Sequence, residues 1–242
     1  MTTREVTTFA GYDCALNHGA IVEIHALDHT LEPAMFRVDI YTDKKTKAKG
    51  NVLGNAISNT SMRAHYLEVP KDVDVDTKTI TRLRNFRQIL DEVVDERKVQ
   101  PIASAMEGYA YGAKQGAHQL GEVGGLVRLH LSDQERPLRI HDPLSIKMWA
   151  TGRGDAEKSD VIQAAVEQFK FPTERMVEVL EKRIVEDCAD AFWAAQMVQT
   201  EYYLRRGELQ QSSLPEHQLR VVNRVTKSNP VNLLGREWHD WS

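Results

Sequence analysis

The sequence predicts an α/β domain with a mixed β-sheet, and three observations lead to this fold class. The opening of the chain carries strand-like segments separated by turn signals. A helical period of apolar residues follows, between Lys78 and Lys98. Beyond it, short apolar strands alternate with helical segments, and this order is typical of an α/β domain.

Three strands are predicted first, over Val6–Leu16, Ala20–Leu27 and Phe36–Tyr41. Gly19 and the Glu32–Pro33 pair supply the turn signals between them. In the third strand, inward and outward residue types alternate, as expected for a strand with one buried face. The opening of the chain is therefore predicted to be rich in strands.

The helix over Lys78–Lys98 has one apolar face, formed by Ile80, Leu83, Phe86, Leu90, Val93 and Val94. The later predicted elements are strands over Ile102–Met106 and Leu138–His141 and helices over His118–Leu131, Ser159–Lys170 and Arg175–Arg205. After Gly207 the composition loosens, which favours a linker and a tail. We therefore divide the chain into a domain over residues 1–206 and a C-terminal extension over residues 207–242, with DNA or a partner as the expected contact of the extension.

Composition excludes several classes of protein. The 242 residues are 41% hydrophobic and 27% charged, as in ordinary globular domains. No apolar run approaches the 18 residues of a membrane-spanning helix, and no secretory signal is expected at the start. Two cysteines cannot form a disulfide framework, which suits a reducing compartment, so we expect a cytoplasmic protein. The net charge of −4 means that any contact with nucleic acid must come from local basic patches.

Four acidic residues lie in predicted strands and a predicted helix, where burying a charged carboxylate would cost free energy. Asp13 lies within the apolar first strand, and Glu107 ends another apolar strand. Asp187 and Asp190 are three residues apart on a predicted helix, so they project from the same face. Buried carboxylates need a partner or a cation, and several converging oxygens suit Mg²⁺ or Mn²⁺. Spacing alone leaves a second interpretation open, in which these acids pair with Arg or Lys at the edge of the core.

Five segments resemble the RuvC family of Holliday-junction resolvases, within the RNase H-like superfamily, and they occur in the family's order across residues 6 to 198. They are Gly11–Leu16 followed by Gly19, Met106–Gly112, Ala117–Glu122 with Gly125–Arg128, Thr151–Lys158 and Asp187–Ala191. The fourth is similar to the family's Gly-x-Gly-x-Ala-x-Lys segment, and the fifth matches its final Asp-x-Ala-Asp-Ala. Each motif is weak alone, whereas five in the right order are a strong signal.

The resemblance implies an RNase H-like mixed sheet flanked by helices, here with an insertion and a C-terminal extension. It implies that Asp13, Glu107, Asp187 and Asp190 are catalytic and ligate a metal ion, with Mg²⁺ expected and Mn²⁺ able to substitute. Lys147 and Lys158 are carried over as catalytic basic groups that contact phosphate. An ammonium group there would also stabilise the charge that builds up in phosphoryl transfer. DNA contacts are predicted for these two lysines and for Arg153, Tyr109 and Tyr111, where the tyrosines would stack on an unpaired base unless they pack in the core.

The sequence also departs from the family's pattern. Cys14 and Ala15 follow the first acid where the family usually has proline or small residues, and Thr42–Thr77 is long enough to contain an insertion. Additional residues around Phe171–Val185 precede the last acidic pair. These departures bear on the range of substrates, as in phage-encoded members, more than on the chemistry.

The implied substrate is branched DNA, above all the four-way junction. Its two-fold symmetry predicts a homodimer with two active sites. The glycine-rich helix near Gly121–Gly125 is the candidate dimer contact, with tight packing on its own sheet as the alternative. Lys44–Lys49 and Tyr203–Arg236 are candidate basic patches, with an ordinary solvated surface as the alternative.

Two other functions are weighed against the nuclease. A catalytically inactive RNase H-like DNA-binding or scaffold protein should have lost a metal-binding acid, and none is missing. An ATP-dependent kinase of the actin-like fold should carry a second glycine-rich phosphate loop and an adenosine pocket motif. Neither motif is visible in the sequence.

Overall fold

A computed structural model describes residues 6–27, 30–44, 59–95, 100–108 and 117–228 of the chain. Its strands form one mixed sheet in the order β4-β3-β2-β1-β5-β6. They are β1 (Val6–Cys14), β2 (His18–Leu27), β3 (Pro33–Thr42), β4 (Thr60–Tyr66), β5 (Ala103–Glu107) and β6 (Leu138–His141). β1, β2 and β3 are antiparallel neighbours, whereas β4 runs parallel to β3, and β5 and β6 extend the sheet in parallel from β1.

Helices cover both faces of the sheet. They are α1 (Val75–Asp95), α2 (Ala117–Asp133), α3 (Pro143–Thr151), α4 (Lys158–Phe169), α5 (Thr173–Val179), α6 (Lys182–Arg205) and α7 (Glu216–Ser228). One core joins the inward residues of β2 and β3 to α3, α4 and α6. A second core lies on the opposite face and joins Tyr12 and Tyr41 to α1 and α2. None of the helices in the described ranges is both long and apolar enough to cross a membrane.

The central helix α6 lies directly against β1. Between residues 184 and 203, every side chain of this helix except Glu186 is buried. The close approach depends on Gly11, because a Cβ atom built there would lie 1.8 Å from the Ala191 carbonyl oxygen. No side chain fits in that space, so glycine allows the helix to contact the strand and fixes α6 relative to the end of β1.

The predicted α/β class, a mixed sheet flanked by helices, is confirmed. Before residue 207, two elements were not predicted and one predicted helix is divided. The Thr42–Thr77 region contains β4, an edge strand whose polar residues hide its alternation. α3 is short, and it begins with Pro143 after the capping residue Asp142, whose carboxylate accepts from Ser145 N–H at 2.9 Å. The helix predicted over Arg175–Arg205 is split into α5 and α6.

The linker predicted after Gly207 is wrong for residues 207–228. They form a 3-10 turn at Gln211–Ser213 and then α7, which contributes Val221 and Val225 to the larger core. Arg224 donates to Asp142 Oδ2 at 3.0 Å and also contacts Ser145 Oγ. The extension therefore packs on α3, and the amphipathic spacing of its few apolar residues was the sequence signal for it.

The second basic patch is largely neutralised where it is described. Its arginines each contact a carboxylate, in the pairs Arg205–Glu201, Arg206–Glu208, Arg220–Glu216 and Arg224–Asp142. Arg236, like Lys45, Lys47 and Lys49 of the first patch, lies outside the described residues. The described part of the Tyr203–Arg236 stretch is therefore a weaker attractor of DNA than the charge count predicts.

Candidate active site

Two carboxylates leave the same end of neighbouring strands. β1 and β5 run parallel and pair Tyr12 with Met106. Asp13 and Glu107 are the next residues, so they lie side by side at the C-terminal ends of two internal strands. Each follows a buried apolar residue, since Tyr12 is 1% exposed and Met106 is 3% exposed. The register between β1 and β5 therefore brings both acids together next to the buried ends of the two strands.

The third carboxylate comes from α6. One ligand oxygen each from Asp13, Glu107 and Asp190 lies within 4.8 Å of the other two. Asp190 is buried, and the first two are half-buried. The contact of α6 with Gly11 explains this meeting, because it holds Asp190 over the end of β1.

Asp187 lies one turn earlier on α6 and is bound differently. Its Oδ2 is 2.5 Å from Nδ1 of His18, at the start of β2. Within the described chain, the compact group of ligand atoms comprises Asp13, Glu107 and Asp190, without Asp187. The sequence prediction did not include His18, although its position directly before Gly19 puts it at the same end of the sheet as Asp13.

Burial and mutual repulsion raise the pKa values of the clustered acids. Desolvation raises the pKa of Asp13 well above its usual value, and the charges of Glu107, Asp187 and Asp190 raise it further. Burial, together with the charge of Asp190, raises the pKa of Glu107 to about 7. The pKa of Asp190 is also raised by burial, although Lys158 opposes the shift. A cation bound among these carboxylates would reduce their mutual repulsion and so lower their pKa values.

Two lysines add positive charge to the cluster. Lys158, the first residue of α4, donates from Nζ to Asp190 Oδ2. Burial opposes its charge, but Asp190, Asp13 and Glu107 together raise the pKa of Lys158. Lys147 lies on α3, and its charge lowers the pKa values of Glu107 and Asp190. α3 is held in place because buried Trp149 donates its indole N–H to Gln196 of α6 at 2.6 Å.

The remaining residues predicted to contact DNA do not belong to the group of clustered acids and lysines. Arg153 is exposed and donates to Asp160 Oδ2 at 2.6 Å, so in this state it braces the start of α4. Asp160 also accepts from the Glu157 backbone N–H at 3.3 Å. Tyr109 and Tyr111 lie outside the described residues, so their predicted stacking on DNA stays a prediction.

The donor set fits a hard divalent cation. Three carboxylates from β1, β5 and α6 supply only oxygen ligands, which Mg²⁺ and Mn²⁺ prefer. The cluster could therefore hold a metal ion. The Lys158 ammonium now provides part of the positive charge that the carboxylates need.

These features define the class of α/β proteins with an RNase H-like sheet and an acidic site at the ends of its central strands. The model of one protein family, described as "Crossover junction endodeoxyribonuclease RuvC", matches residues 50–195, more than half of the chain. The chain belongs to the RuvC family. Glu107, Lys147, Lys158, Asp187 and Asp190 lie within the matched residues, whereas Asp13 and His18 precede them.

Two solved structures are similar to this chain. Thermus thermophilus RuvC in complex with a Holliday junction substrate has a TM-score of 0.52 and 17% identity, and the match covers 83% of this chain and 96% of that one. A structure of Thermus thermophilus RuvC has a TM-score of 0.47 and 16% identity, with 83% and 97% covered. At 17% identity, the likeness to the first of these structures shows the fold, which confirms the predicted RNase H-like sheet. No curated protein matches the chain.

Proposed function

We propose that this protein is a metal-dependent, structure-selective DNA endonuclease that cleaves four-way junctions and leaves a 5′-phosphate. The observation that carries the proposal is the meeting of the Asp13, Glu107 and Asp190 oxygens within 4.8 Å, beside Lys158, in a chain of the RuvC family. Mg²⁺ is the proposed ion, and Mn²⁺ should substitute for it. The cytoplasm, where DNA is accessible, is the proposed site of action.

Each residue has a distinct role in this proposal. Asp13, Glu107 and Asp190 would hold the divalent ions, and Asp187 would complete the ligand set from the preceding turn of α6. When bound, such ions lower the pKa of water and stabilise the attacking and leaving oxygens of a phosphodiester. Lys158 would neutralise charge on the phosphate, and its contact with Asp190 supports this role.

DNA would be positioned by the basic side of the site. Lys147 on α3 and Lys158 on α4 both lower the pKa values of Glu107 and Asp190 by their charge, which supports a common role toward the phosphate backbone. Arg153, between these helices, would exchange its exposed contact with Asp160 for a DNA phosphate. Tyr109 and Tyr111 follow Glu107 in sequence and are proposed to stack on an unpaired base near the cut.

A homodimer is proposed through the open face of α1 and α2. Ile80 and Leu129 on these helices are more than half exposed, at 56% and 55%. Cβ atoms built at Gly121 and Gly125 would meet no described atom within 4 Å, so contact with the described residues does not require glycine at these two positions. A small-residue surface flanked by exposed apolar side chains suits a second copy of the chain, and two copies would match the symmetry of a junction.

The test is a panel of end-labelled substrates: a four-way junction, a fork, a flap and a linear duplex, each incubated with Mg²⁺ and with EDTA. We expect paired nicks in the junction, dependent on Mg²⁺, with ligatable 5′-phosphate ends. Cleavage of forks and flaps would extend the range to other branched DNA. Binding of the junction without cleavage in Mg²⁺ or Mn²⁺ would instead establish the inactive DNA-binding alternative. Membership of the RuvC family already favours both of these outcomes over a kinase of the actin-like fold.

A further inference from the structure

The turn between β1 and β2 places a histidine beside the acidic site. His18 begins β2 and is buried, with 8% of its surface exposed. The 2.5 Å contact from its Nδ1 to Asp187 Oδ2 joins residues 169 positions apart in sequence. Asp187 is thus bound by a side chain of the sheet, whereas Asp190, one turn later, is bound by Lys158.

The backbone that carries His18 is fixed by its own contacts. The Ala15 N–H donates to the His18 carbonyl oxygen at 3.0 Å, which closes the turn. The Tyr41 hydroxyl donates to the Ala15 carbonyl oxygen at 2.8 Å. A Cβ atom at Gly19 would lie 2.5 Å from that hydroxyl, so the tyrosine packs directly on the turn. The imidazole is therefore presented to α6 from a rigid support.

The contact assigns the hydrogen on the imidazole. A carboxylate that ligates a metal ion is deprotonated and only accepts hydrogen bonds, so in that state Nδ1 of His18 donates to Asp187. The other ring nitrogen, Nε2, is buried and has no hydrogen-bond partner among the described residues. His18 also lies outside the compact group of metal-ligand atoms. Its one polar side-chain contact in the described chain is therefore the carboxylate of Asp187.

We propose that His18 is a positioning residue for Asp187. Its Nδ1–H holds Oδ2 and fixes the rotamer of the carboxylate, which leaves the second oxygen available to the divalent ion. Hydrogen bonds of this kind orient ligands in metal sites, and their removal costs roughly 10- to 100-fold in metal affinity. The inference rests on the proposed function, because it assigns Asp187 to the metal site of the nuclease.

The first test measures Mn²⁺ binding by calorimetry on the DNA-free, full-length protein. His18→Leu removes the donor and keeps similar bulk, whereas His18→Asn retains a donor at the position of Nδ1. We expect the dissociation constant for Mn²⁺ to rise roughly 10-fold or more in His18→Leu and to return most of the way in His18→Asn. His65→Leu is the matched control, since His65 Nε2 makes a comparable 3.0 Å contact with Asp39 away from the acidic cluster.

The second test asks whether His18 acts through Asp187. In an Asp187→Asn background, His18→Leu should weaken Mn²⁺ binding no further, because the group that it positions has been changed. An additional 10-fold loss there would overturn the proposal. So would unchanged affinity in His18→Leu, or equal losses in His18→Leu, His18→Asn and His65→Leu, which would indicate a general effect on folding.

The inference can fail separately from the proposed function. If the parent protein binds Mn²⁺ and cuts junctions while His18→Leu retains full affinity, only the positioning role is lost. If the parent protein neither binds Mn²⁺ nor cuts, both proposals are lost.

Discussion

Replacing Glu107 by glutamine in the metal-free protein should change how its stability depends on pH. The Glu107 side chain is half-buried beside Asp190, and desolvation and the charge of Asp190 raise the pKa of its carboxyl in the folded protein to about 7 from an ordinary 4.5. In the unfolded chain the same group loses its proton near pH 4.5. Between these two values the folded protein holds a proton that the unfolded chain has released, so raising the pH favours unfolding.

The size of the effect follows from the shift. One pKa unit corresponds to about 1.4 kcal/mol, so a shift from 4.5 to about 7 is about 3 kcal/mol. This contribution is fully present below pH 4.5 and is lost as the pH rises through 7. For a domain of this size, it corresponds to roughly 6–12 °C in Tm. The glutamine side chain in Glu107→Gln cannot ionise, so this variant should not lose stability in this way as the pH rises.

The assay is thermal unfolding in EDTA at half-unit steps from pH 4.5 to pH 8.5, for the parent protein and for Glu107→Gln. We expect the two Tm curves to lie close together near pH 4.5, to separate progressively between pH 4.5 and about 7, and to stay apart at higher pH, with the variant more stable. Glu122→Gln, at an exposed site on α2, should follow the parent protein throughout. Added Mg²⁺ should stabilise the parent protein more than Glu107→Gln at high pH. Parallel curves for the parent protein and Glu107→Gln across the whole range would refute the account of a crowded, buried carboxylate.

Three further predictions concern single positions. Asp13→Asn should abolish junction cleavage in Mg²⁺ but leave junction binding measurable by gel shift. The control Asp72→Asn, in an exposed loop, should cut normally, and wild-type cutting by Asp13→Asn would remove Asp13 from the site. Lys158→Ala should lower kcat roughly 100-fold with a smaller change in the junction Kd, because it removes a charge that acts on the reacting phosphate. The control is Lys182→Ala, since the Lys182 side chain is 80% exposed. If Lys158→Ala weakened junction binding and left kcat unchanged, Lys158 would be a docking residue only. Gly11→Ala should lower stability by about 3 kcal/mol or more, since its Cβ would lie 1.8 Å from the Ala191 carbonyl oxygen. Ser212→Ala, at an exposed position outside the proposed dimer contact, should leave the melting temperature nearly unchanged, and equal melting temperatures for the two alanine variants would contradict the contact between α6 and β1.

The part of the site that could be predicted is the part encoded by local pattern. Asp13 and Glu107 interrupt apolar strands, and the pairing of β1 with β5 then brings them together. Asp187 and Asp190 share a helix face, so their common direction follows from their spacing. The strands of the opening meander and β6 were predicted for the same reason, since each alternates or is continuously apolar.

What could not be predicted depends on tertiary contact. The bond between His18 and Asp187 joins positions 169 apart, and no spacing rule encodes it. β4 is stabilised mainly by its parallel pairing with β3, so its own polar sequence gives a weak strand signal. α7 follows a loop rich in Gln and Ser, and the spacing of its few apolar residues is a weak signal on its own, which Val221 and Val225 strengthen by joining the larger core. Local propensity is overridden in such elements by the partner against which they fold.

The most direct measurement of the central claim is anomalous diffraction from crystals of the DNA-free protein soaked in Mn²⁺. The proposal predicts at least one anomalous peak within about 2.5 Å of carboxylate oxygens from both Asp13 and Glu107, with Asp190 also in reach. A second peak roughly 3.5–4 Å away would indicate the two-ion arrangement. Strong peaks elsewhere on the protein, with none between these three carboxylates at saturating Mn²⁺, would contradict it.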